Sequence, residues 1–70
     1  MKERTWVDTV FDLLNQRGMS QADLARLMRV HHTAVSYWLR GKRRLRPPMR
    51  RRMARALHRT QAELFEKEKP

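Results

Sequence analysis

Seventy residues without a cysteine allow one domain and exclude both a disulfide scaffold and a thiolate metal site. Seventeen Lys and Arg against seven acids give a net charge of +10 and a pI of 11.7. No apolar run approaches the ~20 residues of a membrane span, no signal peptide is expected before the first helix, and two glycines with three prolines make no low-complexity segment.

In chain order, residues 1–4 read as a frayed start. Thr5 N-caps a helix, and Asp8 three residues on answers its backbone N–H as in a capping box. Val7, Val10, Phe11 and Leu14 follow at i, i+3, i+4 and i+7, the apolar stripe of an amphipathic scaffold helix that Gly18 closes. Ser20 and Asp23 repeat the capping pattern for a second, two-turn helix whose buried side is predicted as Leu24, Ala25, Leu27 and Met28. A helix that short is unstable alone and has to pack on its neighbours.

Arg29, Val30 and His31 connect it to a third helix from about His32 to Leu39, ending at Gly41. The 3.6-residue period puts Val35, Trp38 and Leu39 on its core face, with Thr33, Ser36, Tyr37 and Arg40 opposite and His32 at the exposed N-terminal end. That outer face holds short hydrogen-bonding side chains and no Glu or Lys, unlike an ordinary solubilising surface. Residues 42–46 form a basic loop, and Pro47 and Pro48 open a fourth helix where missing N–H groups cost little. Met49, Met53, Ala56 and Leu57 are its apolar stripe; Arg51, Arg55 and Arg59 lie on the far side, flanked by Arg50 and Arg52. Thr60 and Glu63 cap a short final helix whose Leu64 and Phe65 cover the core, and residues 67–70 read as fraying.

Charge is distributed unevenly along these elements. No acid lies between Asp23 and Glu63, whereas twelve of the 39 residues between them are Lys or Arg. Surfaces usually mix both signs, so a one-sided field points to a polyanionic partner, nucleic acid first among them.

The stretch 20–41, SQADLARLMRVHHTAVSYWLRG, resembles the helix-turn-helix of the Cro/phage-repressor-like (Xre-type) DNA-binding family. Gln21, Ala25, Val35, Trp38, Gly41 and Lys42 match its pattern without a gap, and Ala56, Leu57, Thr60, Glu63 and Leu64 extend the likeness over about residues 7–65. The spacing also has a physical sense. Ala25 is small where two helices cross closely, while Val35 and Trp38 fix the third helix so that its outer face is free to enter a major groove. Two positions depart from the pattern. Arg29 stands at the turn usually held by a left-handed glycine, at a cost of about 1 kcal/mol. His31 stands where Ser or Thr usually caps, and histidine is a poor cap, which leaves the helix start open by a residue.

The resemblance implies an all-α, four-to-five-helix bundle of the lambda-repressor-like type, one domain over residues 5–66 with its motif at 20–41. It implies a sequence-specific double-stranded DNA-binding regulator, a repressor acting by promoter occlusion, with helix 32–40 in the major groove. His32, Thr33, Ser36, Tyr37 and Arg40 are then the base-reading residues. Gln21, Lys42, Arg43, Arg44, Arg46, Arg50 and Arg51 are the phosphate contacts, and Gln21 is placed to brace His32. A weak homodimer formed on DNA is expected, in the cytoplasm of a prokaryotic or phage system, with no small-molecule ligand or membrane partner.

An antitoxin-type autoregulator with a protein partner and a nonspecific DNA- or RNA-binding protein are the rival readings. The first usually carries a dedicated tail, and only five residues follow Phe65; the second has no use for a neutral polar helix face. No enzyme, metal or cofactor is expected: there is no glycine-rich loop or nucleophile motif, and adjacent His31 and His32 point apart on a helix.

Overall fold

The computed structural model describes residues 5–65, and these form five α-helices with no strand among them. They are α1 (Trp6–Arg17), α2 (Gln21–Met28), α3 (His32–Leu39), α4 (Pro47–Ala56) and α5 (Gln61–Phe65). The expected frayed ends, 1–4 and 67–70, lie outside the described residues.

All three sequence-legible capping boxes are formed. The backbone N–H groups of Thr5, Ser20 and Thr60 donate to the carboxylates of Asp8, Asp23 and Glu63 at 3.2, 2.9 and 2.7 Å. The N–H groups of those acids donate back to the cap hydroxyls at 3.5, 3.1 and 3.1 Å. Each pair satisfies two first-turn donors that otherwise lack a partner.

Helices α1 to α4 end alike. The N–H groups of Met19, Val30, Lys42 and Arg59 reach back five residues to the carbonyls of Leu14, Ala25, Tyr37 and Ala54. Inside them, Gly18, Arg29, Gly41 and His58 donate to Asn15, Arg26, Trp38 and Arg55, completing a Schellman motif each time. The motif requires one left-handed residue, and these four have φ of 63°, 60°, 75° and 56°. The left-handed turn expected at Arg29 is therefore present, and His58 is a second non-glycine residue in the same conformation.

The core draws on every helix: Val10, Leu13 and Leu14 from α1; Leu24, Ala25 and Met28 from α2; Val35, Trp38 and Leu39 from α3. Met53, Ala54 and Leu57 add the α4 side, and Leu64 and Phe65 close the far end, where the Trp6 and Phe65 rings meet at 5.6 Å. No polar or charged side chain among the described residues is buried.

Two expected core residues lie outside. Phe11 is 38% exposed and Leu27 is 56% exposed. The buried stripe runs through i, i+3 and i+4 in α1, namely Val10, Leu13 and Leu14, and through i, i+1 and i+4 in α2, namely Leu24, Ala25 and Met28. Phe11 and Leu27 each sit about 100° round from the stripe's centre. Conversely Leu45, read as part of a basic loop, is only 4% exposed and pins residues 42–46 to the core.

Helix α3 packs chiefly on α2, and α2 also packs on α4, so the short α2 is wedged between the two. Arg52 ties this wedge together, its Nη1 donating to the Met28 carbonyl at 3.3 Å across a separation of 24 residues.

Candidate nucleic-acid interface

The third helix begins at His32, with His31 as its N-cap in extended backbone. The His31 ring does serve as a cap: its Nδ1 accepts from the Thr33 N–H at 3.2 Å and lies 2.8 Å from Thr33 Oγ1. The His32 ring stacks on His31 with centroids 4.5 Å apart. The brace from Gln21 to His32 is not formed; among the described residues, His32's contact is with His31.

Burial divides α3 as its periodicity demands. Val35, Trp38 and Leu39 are buried, while His32, Thr33, Tyr37 and Arg40 are exposed and Ser36 is half-buried. Four of these five side chains can hydrogen-bond without carrying a full positive charge, which is the chemistry that distinguishes base edges.

The loop after α3 brings charge to the edge of that face. Arg43 places its guanidinium carbon 5.9 Å from the Tyr37 ring centre, within cation–π range. Arg43, Arg44 and Arg46 line a groove of about 390 Å³ with Trp38 and Met49. Lys42 is exposed beside them. Arg50 is held differently, with Nε donating to the Leu45 carbonyl at 3.1 Å and its guanidinium 4.9 Å from the Phe65 ring centre. Arg51 lines another groove, with Pro48, Arg52 and Arg55. At the other end of the motif Gln21 is the first residue of α2 and half-buried. Ser20 and Asp23 occupy each other's N–H groups, which leaves the amides of Gln21 and Ala22 as that helix end's outward donors.

Three features of this surface were missed by sequence reasoning. The capping by His31 depends on which ring nitrogen is unprotonated, and the tie from Arg52 spans two helices. Leu45 did carry a signal, as the one apolar residue among the four basic residues of 42–46.

The profile of the helix-turn-helix domain family matches residues 9–66. The chain belongs to the helix-turn-helix domain family. No curated protein and no solved structure matches it. In this helix-turn-helix domain α2 and α3 are the motif helices, residues 29–31 are the turn, and the partner class is DNA. No helix among the described residues is long and apolar enough to cross a membrane.

Proposed function

We propose that this helix-turn-helix domain is a sequence-specific regulator of transcription that represses by occluding a promoter. In this reading α3, extended by Arg40, lies in the major groove with His32, Thr33, Ser36, Tyr37 and Arg40 toward base edges. Gln21 and the cations Lys42, Arg43, Arg44, Arg46, Arg50 and Arg51 hold phosphates, which sets register and affinity without reading sequence. Two copies occupy paired half-sites about 34–36 Å apart, associating weakly and on the DNA. The working unit is residues 5–66, acting in the cytoplasm on nucleoid DNA.

One observation carries the reading: the outer face of α3 holds short hydrogen-bonding side chains and no Lys, Asp or Glu, yet it borders an acid-free cationic loop. A binder that uses charge alone has no need of the first half of that arrangement. Selection from random double-stranded DNA, followed by binding at two salt concentrations, tests it. An enriched inverted repeat is the expected result; no enrichment with a steep salt dependence identifies a nonspecific polyanion binder instead.

The division of roles has its own test. Ser36→Ala should lose about 1–3 kcal/mol on the selected site with little change on random DNA. Arg43→Ala should weaken every sequence alike and lower the salt slope by about one. Equal losses on all sequences for both variants would show that the two sets of residues do not divide the work.

A further inference from the structure

A second cationic groove shares Arg52 and Arg55 with the groove of Arg51 but opens on another side of them. This groove, of about 510 Å³, opens between the C-terminal ends of α2 and α4. Arg29, Arg52, Arg55 and His58 line it, and none of the described acids does. Leu27, Met28 and Ala56 supply an apolar lining, and Leu27 is the most exposed large apolar side chain described, at 56%. None of the twelve residues assigned to base or phosphate contacts lines it.

The helix ends single out this groove independently. Four Schellman motifs need a left-handed residue, a conformation that any Cβ disfavours. At Gly18 and Gly41 the chain uses glycine. At Arg29 and His58 it uses basic side chains, and both of these line the same groove. Non-glycine residues held left-handed concentrate where the side chain has work to do. Arg52 is already oriented there by its bond to the Met28 carbonyl.

The geometry points to a docking site for an acidic peptide segment of a partner protein, carrying an apolar anchor that covers Leu27. Carboxylates complement the Arg29, Arg52 and Arg55 guanidiniums, and the anchor takes the apolar lining. A phosphate ribbon matches the charges but leaves Leu27, Met28 and Ala56 without a partner. It also usually recruits neutral donors such as Ser, Thr, Asn or Gln, and the groove has none. An open groove between two helix ends suits an extended or helical segment better than a small molecule, whose sites enclose most of the ligand.

Fluorescence anisotropy of the full chain with a short labelled peptide alternating Glu with Leu and Phe, at about 0.15 M salt, tests the site. The control peptide replaces Leu and Phe with Ser. The apolar peptide should bind more tightly than the control, and Leu27→Ser should abolish that preference. Arg55→Glu should weaken binding about tenfold. Arg29→Gly relieves the left-handed strain, so it should melt higher than the parent while binding the peptide up to about fivefold more weakly. A damaged fold cannot produce that pair of results. Saturating the chain with double-stranded DNA should leave the peptide bound. Equal affinity for both peptides, no effect of Leu27→Ser, or displacement of the peptide by DNA would each overturn the site and identify a general polyanion surface.

Discussion

The two connections that flank α3 share one helix-end motif and differ in what else anchors them. The approach, residues 29–31, is held by hydrogen bonds: a left-handed Arg29 closes α2, His31 caps α3, and Arg52 reaches across to the Met28 carbonyl. Val30, its one apolar residue, is only half-buried. The departure, residues 40–46, closes on a glycine, takes a bond from Arg50 at the Leu45 carbonyl and adds a buried side chain, Leu45 itself, while Arg40, Lys42, Arg43, Arg44 and Arg46 stay exposed. In the proposed function, a helix that enters a groove in one orientation gains from a rigid approach. A loop that meets a phosphate backbone would gain from long side chains on an anchored backbone.

Removing the buried anchor should have the largest effect. Leu45→Ala deletes a leucine side chain that is 4% exposed, and buried Leu→Ala changes cost about 2–5 kcal/mol. That is a large part of the stability expected for a domain of this size. Leu27→Ala, at 56% exposure, should change stability by no more than about 0.5 kcal/mol. Urea unfolding of both variants compares them directly. If Leu45→Ala were as mild as Leu27→Ala, the loop would not be anchored by that side chain and the contrast between the two connections would collapse.

The next effects are smaller and opposite in sign. Arg29→Gly removes a Cβ from a residue at φ 60° and should raise stability by about 1 kcal/mol. In a domain this small that is about 4–8 °C in Tm. Gly41→Ala adds a Cβ at φ 75° where it meets nothing within 4 Å, so only backbone strain acts, and the loss should be about 1 kcal/mol. Paired melting curves sharpen the comparison, because both connections use the same motif and differ in the residue at its strained position. An unchanged or lower Tm for Arg29→Gly would mean that the arginine side chain stabilises the turn enough to offset its backbone.

These variants also mark where the sequence was legible. Capping boxes are local, so Thr5 with Asp8, Ser20 with Asp23 and Thr60 with Glu63 could be read directly, as could the end of α3 and its division into Val35 and Trp38 inside, Thr33 and Tyr37 outside, while its start stayed open by a residue at His31. Periodicity was less decisive where apolar residues lie on more than one side. Phe11 competed with Leu13, and Leu27 with its neighbours, and only the packing of whole helices settles which stripe turns inward. Leu45 shows the same limit in a loop, since a lone leucine between basic residues has no period to place it. The groove between α2 and α4 was hidden for another reason. Its residues come from positions 27–29 and 52–58, and no local pattern joins them before the chain folds.

The smallest expected effect concerns acid. The approach to α3 begins in a helix that carries Asp23 in its first turn, whereas residues 40–46 contain no acid at all. The Ser20 backbone N–H donating to Asp23 is the chief reason its carboxyl lies below the ordinary 3.8; the bond with the Ser20 side chain and the Arg26 guanidinium add to it. Glu63 is lowered from 4.5 in the same way, by the Thr60 N–H first. A carboxyl depressed in the folded state binds its proton more readily once unfolded. Its contribution is therefore complete above the ordinary value and is lost as pH falls through the folded one. Lowering the pH from about 5 to about 3 should reduce Tm, and Asp23→Asn should flatten that fall while starting from a slightly lower Tm at neutral pH. Leu45→Ala, which touches no titrating group, should keep the parent's slope from a lower start. Parallel acid slopes for Asp23→Asn and the parent would show that the Ser20 capping box adds nothing measurable to the helix on which α3 rests.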